Sequence, residues 1–210
     1  MHNILNPENP IISFLNQVVD LIILGVLWTL CSIPVITVGA SSAALCYAYN
    51  KHFVKKEGYA AKLFFQAFRE NFKQATVLWL IMVAVLAFLG ADYYLARVGM
   101  AEKSFLSIPL VLVIAISIFV LMWSQYAFAY IARFENDTRT VIKNTVLIML
   151  VNFPWSFLLL ALFAAVFLFF PLLLFFAVSV YIVFANMIHQ RVFSKYTKPE
   201  EEEAEEDAEL

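Results

Sequence analysis

Apolar residues run through the chain in long blocks that short polar intervals separate. Three of these blocks hold about 20 residues each, which is the helix length that crosses the hydrocarbon core of a bilayer. They are apolar on every side, so no face of such a helix is suited to water. The pattern therefore predicts membrane-spanning helices over about 13–33, 75–95 and 108–131.

A fourth block, 153–185, contains no charged residue at all. As one helix it would be about 50 Å long, well beyond a hydrocarbon core of roughly 30 Å. Pro171 lies near its middle, and proline ends or kinks a helix. We predict two spans here, 154–170 and 172–189, with an earlier start and a kink at Pro154 as the alternative for the first of them.

Between the first two spans, Pro34 ends the first apolar block and a stretch of small residues follows. This stretch predicts a short helix over about 37–53. Gly39 and Ala43, with Ser42 beside them, form a pattern of small residues four apart that lets two helices approach closely. If the short helix spans the membrane, the protein is an all-α bundle of six transmembrane helices, which is our preferred interpretation. If it is re-entrant, the bundle has five spans.

The polar interval 51–74 becomes amphipathic in its second half. Phe64, Phe68 and Phe72 share one helical face, and charged and amide side chains occupy the other. Segregated faces at helical spacing are typical of a helix that lies in the interface of a bilayer. We therefore predict an interfacial amphipathic helix whose phenylalanine face contacts lipid or a partner protein.

Charge is distributed unevenly along this strongly apolar chain, which is 63% hydrophobic over 210 residues. Eight of the sixteen acidic residues lie in 200–210, which predicts a disordered acidic tail over 197–210 after a membrane domain over 1–196. If the spans alternate, twelve of the fourteen basic residues lie on one side. The positive-inside rule makes that side cytoplasmic, so we expect a multi-pass plasma-membrane protein with a cytoplasmic C-terminus.

Polar residues inside apolar spans are the first place to look for function in a membrane protein. The candidates are Asp20 in the first span, Asp92 near the end of the second and Gln125 in the third. Interfacial charges near helix ends would also explain Asp20 and Asp92, and an interhelical hydrogen bond would explain Gln125. Asp137 or Thr138 is expected to cap the helix that follows the third span.

The chain lacks the motifs of common catalytic and ligand-binding sites. It has no phosphate-binding glycine loop, nucleophile elbow, zinc-protease motif or paired-carboxylate pattern. Cys31 and Cys46 lie in apolar sequence, and no cysteine or histidine spacing resembles a zinc site. Once the basic residues are assigned to membrane loops, none remain to form a stripe for nucleic acid. We therefore expect no enzymatic activity, no cofactor, no metal and no nucleic-acid partner.

The most distinctive segment is 27–45, LWTLCSIPVITVGASSAAL. Together with FFQAFRENFKQA over 64–75 and the later Lys143-Asn144-Thr145, it resembles the YesL-like family of small integral membrane proteins of Gram-positive and related bacteria. That family is largely of unknown function, and the resemblance implies no catalytic or ligand residues. Its members are often encoded beside carbohydrate ABC importers, and some are implicated as accessory components. The resemblance therefore implies an importer's permease and ATPase subunits as partners, besides the lipid bilayer itself.

Three functional hypotheses follow. The leading one is a non-enzymatic accessory or assembly subunit of a bacterial oligosaccharide ABC importer. The first alternative is a stand-alone transporter or channel that moves a small neutral solute past Gln125. The second is a membrane sensor or regulator that acts through the cytoplasmic loops and the acidic tail.

Overall fold

A computed structural model of the chain describes residues 10–99, 108–169 and 174–208. These residues form α-helices and no strand, so the expected all-α membrane bundle is confirmed. A 3₁₀ turn, Val35–Thr37, precedes the second helix, and a π-helical turn, Asn50–Val54, follows it. The helices are α1 (Pro10–Cys31), α2 (Val38–Tyr49), α3 (Ala60–Glu70), α4 (Phe72–Gly99), α5 (Ile108–Ile131), α6 (Thr138–Val151), α7 (Phe153–Phe169) and α8 (Leu174–Ala208).

Three of the described helices contain a segment long and apolar enough to cross a membrane. These segments are Ile12–Cys31, Phe72–Leu95 and Val111–Ile131. A fourth is added if α6 and α7 together form one broken span. The protein is therefore a multi-pass membrane protein, and the preferred number of six spans is larger than the described helices support.

Helix α2 is not among the segments long and apolar enough to cross a membrane. Its twelve residues continue without a break into the 3₁₀ turn before it and the π-helical turn after it, so the helical stretch runs from Val35 to Val54. The turn before it is tied to the first part of α4, where Trp79 Nε1 donates to the Val35 carbonyl at 2.6 Å. The other end of α2 lies beside Arg133, just past α5. Both ends of α2 are thus tied to the α4–α5 pair, and the choice between six spans and five with a re-entrant segment stays a prediction.

Small side chains allow α2 to lie in the middle of the bundle, where it packs against α1, α3, α4, α5 and α8. Gly39 shows how close this packing is. A Cβ at Gly39 would lie 2.5 Å from the Ala75 carbonyl oxygen and 2.6 Å from the Trp79 Cβ. Only a residue without a side chain fits at that point. The small residues of α2 that are buried are Gly39, Ala40, Ser41, Ala43, Ala44 and Ala48.

Helix α3 buries its apolar face inside the protein, chiefly against α2 and α1. Phe64 is completely buried in a core cluster with residues of α1 and α2, and Leu63 and Ala67 are buried with it. This corrects the expectation that Phe64 faces lipid or a partner. Phe72 begins α4 instead of continuing α3. An amphipathic pattern marks a face that avoids water, but it does not say whether lipid or protein covers that face.

Helices α6 and α7 meet at an angle of 96°. The bend lies next to Pro154, which has no backbone N–H to donate and so cannot continue the hydrogen bonds of α6. Side chains satisfy carbonyls near the end of α6 instead. Asn152 Nδ2 donates to the Ile148 carbonyl at 2.9 Å, and Ser156 Oγ donates to the Met149 carbonyl at 3.0 Å. The structure therefore agrees with the alternative of an earlier start and a kink at Pro154, and polar side chains lie at this bend.

The remaining helix boundaries predicted from the sequence are the turn at Pro171, the start of α6 and the end of α8. The turn predicted at Pro171 lies outside the described residues. Helix α6 begins as the sequence predicts, with Asp137 as its N-cap, accepting from the backbone N–H of Arg139 and Thr140. The helical backbone of α8 runs to Ala208, and the division into a membrane domain over 1–196 and a disordered tail over 197–210 stays a prediction.

Candidate functional site

A largely apolar cavity of about 210 Å³ lies in the middle of the bundle. Its walls come from α1, α2, α4, α5, α7 and α8. A concave apolar site with a few convergent polar groups is the common form of a small-molecule site. The aromatic lining residues include Trp28, Trp79, Phe128 and Phe163, and the polar ones are Ser42, Ser124, Gln125, Tyr181 and His189.

Several polar groups of this central cavity are already paired with one another. Gln125 Oε1 accepts a hydrogen bond from the Tyr181 hydroxyl, which links α5 to α8. Ser42 Oγ accepts from Trp28 Nε1 at 3.2 Å, which links α2 to α1, and donates to the Val38 carbonyl at 2.7 Å. Gln125 and Ser42 therefore join helices across the cavity wall, as interhelical hydrogen bonds do in membranes.

His189 differs from the other polar residues of the central cavity. Its side chain is 2% exposed, and neither ring nitrogen has a hydrogen-bond partner among the described residues. The ring packs edge-on against Tyr126, with 5.5 Å between ring centroids. A neutral imidazole offers one donor and one acceptor. His189 therefore supplies hydrogen-bonding capacity to this cavity that no described protein group satisfies.

A second cavity, of about 380 Å³, lies at the end of the bundle where α2, the turn after α5 and the second half of α8 meet. It opens to the surface beside exposed residues such as Lys55 and Ser194. Its walls combine three basic residues, several neutral polar side chains and the ring of Phe193. The basic residues are Lys51, Lys55 and Arg133.

Arg133 is the most unusual residue of this second cavity, because neutral groups surround a half-buried cation. Arg133 Nη2 donates to Asn186 Oδ1 at 2.6 Å. With its amide oxygen turned toward the guanidinium, Asn50 accepts from Nε at 2.9 Å and from Nη2 at 3.1 Å. The Phe193 ring lies 4.8 Å from Cζ, a cation–π distance. Burial lowers the pKa of Arg133 to about 10, so the group stays charged at neutral pH.

Asp20, a candidate from the sequence, has a partner that the sequence did not indicate. His52 Nε2 lies 2.8 Å from Asp20 Oδ2, and His52 Nδ1 donates to the Gly58 carbonyl at 2.7 Å. Both ring nitrogens face oxygen acceptors, so the imidazolium form satisfies both contacts. Gly58 has a φ of +64°, a conformation that favours glycine and that shapes the turn carrying this carbonyl. The pair ties the π-helical turn after α2 to α1.

The structure does not bring the three intramembrane candidates together. Gln125 lines the central cavity, Asp20 lines a separate surface cavity with His52, and Asp92 is half-buried near the end of the span in α4. Ala43 is buried in α2, and Phe68 is half-buried between the two core clusters. Within the described residues, no group of three or more His, Cys, Asp or Glu side chains could hold a metal ion.

Sequence analysis missed Arg133 as a candidate. Arg133 counted only as one of several loop bases, and its partner Asn186 is 53 residues away along the chain. Local composition does not distinguish a basic residue that packs beneath a helix from one that points into water. His189, by contrast, shares one helical face with Asn186 and Gln190 at the end of the last apolar block, where contacts with lipid headgroups or loops are the simpler interpretation of the sequence.

Comparison with known proteins finds a family similarity over part of the chain. Neither a curated protein nor a solved structure matches the chain. Residues 21–93 match a family described as "Protein of unknown function, DUF624". The match includes the whole of α2 and α3, half of α1 and most of α4. Over this part of the chain, the protein is therefore similar to a protein family of unknown function.

Proposed function

We propose that the protein is a non-enzymatic membrane subunit that assembles with a bacterial carbohydrate ABC importer. The multi-pass apolar helices support the membrane location. The choice of partner rests on the resemblance of 27–45 and 64–75 to the YesL-like family. In this proposal the C-terminus and the basic loops face the cytoplasm, where the importer's ATPase lies.

The observation that carries the proposal is the pairing of polar groups between helices in the interior. Gln125 pairs with Tyr181, and Trp123 Nε1 donates to Thr145 Oγ1 at 2.7 Å in a buried contact between α5 and α6. Polar side chains that line a transport route must give up their hydrogen bonds within the protein in order to bind the solute. Side chains that bond helix to helix instead hold one arrangement of the bundle, which supports a structural role.

The outer surface near the start of α4 offers a contact for such a partner. Phe65 is 45% exposed and Phe72 is 37% exposed, so this corner presents apolar rings that the protein itself does not cover. The basic residues Lys62 and Arg69 are exposed on the same short helix α3. An apolar centre with a charged rim is the usual arrangement of a protein–protein interface.

Affinity purification of the full chain from its native host in a mild detergent tests this proposal. Mass spectrometry should recover a permease pair and an ATPase in stoichiometric amounts. Phe65→Asp should reduce their recovery severalfold, because it places a charge in an apolar contact. Gln66→Asp adds the same charge at an exposed neighbouring position and serves as the control. Purification of the chain alone, without these subunits, would contradict the proposal.

A second candidate function is the uptake of a small neutral solute through the central cavity. The unpaired ring nitrogens of His189 favour it, since a polar solute would satisfy them. Liposomes that contain only this protein should then take up a labelled solute, and His189→Phe should abolish uptake. Uptake no greater than in protein-free liposomes would reject this candidate and leave the assembly role.

A further inference from the structure

The cavity around Arg133 has an excess of positive charge. Three basic side chains line it, and the only carboxylate paired with them among the described residues is Glu57, 3.6 Å from Lys51. Lys55 and Arg133 have no carboxylate within 4 Å in the described part of the chain. Two of the three positive charges therefore lack a charged partner among the described residues.

Two residues that line this cavity also carry buried donors that lack an acceptor among the described residues. Arg133 Nη1 and Gln190 Nε2 are both closed to solvent and have no partner among the described residues. Asn186 and Asn50 use the other two donor nitrogens of the guanidinium, and they hold it in place without neutralising it. A buried donor left without an acceptor is unfavourable, and more so when it is charged.

A phosphate group matches the unpaired positive charge of this cavity. It carries negative charge and several acceptor oxygens, and the planar fork of arginine binds such oxygens in pairs. A volume of about 380 Å³ admits a phosphate together with a small attached group. The position also fits, because basic pockets between membrane helices near the interface are a common form of site for anionic lipid headgroups.

We propose that the cavity lined by Arg133, Lys51 and Lys55 is a binding site for a phosphate-bearing anion. The phosphate belongs either to the headgroup of an anionic phospholipid or to a small soluble phosphate. Both sources share the recognition chemistry of a half-buried guanidinium with two lysines at the rim. The site does not depend on the importer partnership, since it is complete within one chain.

Binding to the purified full-length protein in detergent tests this site. The probes are phosphatidylglycerol, phosphatidylcholine as a neutral phospholipid, and inorganic phosphate, each measured by native mass spectrometry and by the shift in the thermal unfolding midpoint. We expect saturable binding of phosphatidylglycerol or of inorganic phosphate, and the probe that saturates identifies the source. Phosphatidylcholine should bind at least tenfold more weakly than phosphatidylglycerol if lipid is the ligand.

Three variants distinguish binding in this cavity from non-specific binding to surface charge. Arg133→Lys and Lys55→Gln should each weaken binding about tenfold, the effect of losing one charge-assisted hydrogen bond. Lys55 is exposed, so its variant keeps the test valid even if Arg133→Lys is unstable. Lys143→Gln removes an exposed charge from α6, outside the cavity, and should leave binding unchanged. The proposal is overturned if neither anionic probe binds saturably, or if Lys143→Gln weakens binding as much as Lys55→Gln.

Discussion

Gly39 and Trp79 stand so close that a Cβ added to Gly39 would lie 2.6 Å from the Cβ of Trp79. The nearby atoms are the backbone oxygen of Ala75 and the Cβ of Trp79, and neither can move by a change of side-chain rotamer. An added methyl group would therefore push α2 away from α4. Gly39→Ala should therefore lower the free energy of unfolding by about 1–3 kcal/mol, the usual effect of overpacking. Unfolding in a mixed detergent titration, followed by tryptophan fluorescence, measures this.

A second glycine gives the matched control for that variant. A Cβ on Gly90 of α4 meets no atom within 4 Å. Gly90→Ala should leave the free energy of unfolding unchanged or raise it by up to about 1 kcal/mol, since alanine favours helix. Equal losses from the two substitutions would show that close packing of α2 is not the cause.

Adjacent phenylalanines of α3 should differ strongly in their contribution to stability. Phe64 is completely buried, whereas Phe65 is 45% exposed. Phe64→Ala leaves a cavity inside the protein and should lower the free energy of unfolding by about 3–5 kcal/mol. Phe65→Ala should lower it by less than about 1 kcal/mol. The same detergent titration tests both variants. Equal losses of unfolding free energy would contradict the burial of Phe64 inside the protein and would indicate that the apolar face of α3 contacts lipid.

The bend between α6 and α7 depends on a buried hydroxyl. Ser156 Oγ donates to the Met149 carbonyl at 3.0 Å and the Asn152 carbonyl at 3.1 Å. Ser156→Ala leaves the Met149 carbonyl without this donor and should lower the free energy of unfolding by about 1 kcal/mol. Ser194→Ala removes an exposed hydroxyl of α8 as the control. No difference between the two variants in unfolding midpoint would contradict the role given to Ser156.

The N-cap of α6 should make stability depend on pH in the acid range. The hydroxyl of Thr140 donates to Asp137, and with the backbone N–H groups it holds the pKa of that carboxyl below its ordinary value. A lowered pKa in the folded state means that the stabilisation is present above the ordinary value of about 3.9 and is lost as pH falls through the folded value.

Unfolding midpoints between pH 7 and pH 2.5 measure this effect. Asp137→Ala should be less stable than the unchanged protein at pH 7, and the difference should shrink below about pH 4 as the carboxyl is protonated. Glu135→Ala changes an exposed carboxyl two residues away and serves as the control. A difference that stays constant across the range would show that the charge of Asp137 does not matter.

The sequence predicts single helices well here, because their signals are local. The cap at Asp137 and the kink at Pro154, each one of two alternatives from the sequence, follow from residues a few positions apart, and both are present. The extent of α2 was harder to predict, since the residues of the π-helical turn after it continue the helical pattern. Its far end packs beside Arg133 and α8.

Contacts between distant helices could not be predicted from the sequence. Asp20 pairs with His52 across 32 residues, and Arg133 pairs with Asn186 across 53. Periodicity shows which face of a helix avoids water, but it does not say which helix comes next to it. In a chain that is 63% hydrophobic, lipid and protein are equally acceptable neighbours for most faces, as the buried Phe64 illustrates.

The central place of α2 also sets an order of events during synthesis. The ribosome makes α2 before the helices that surround it, and Trp79 and Phe128, which enclose Gly39, come later in the chain. Because α2 packs against α4 and α5, it has no stable position until both are in the membrane. Helix α2 therefore finishes folding only after much of the chain has been translated, and translation that stops before Phe128 leaves it without part of its binding surface.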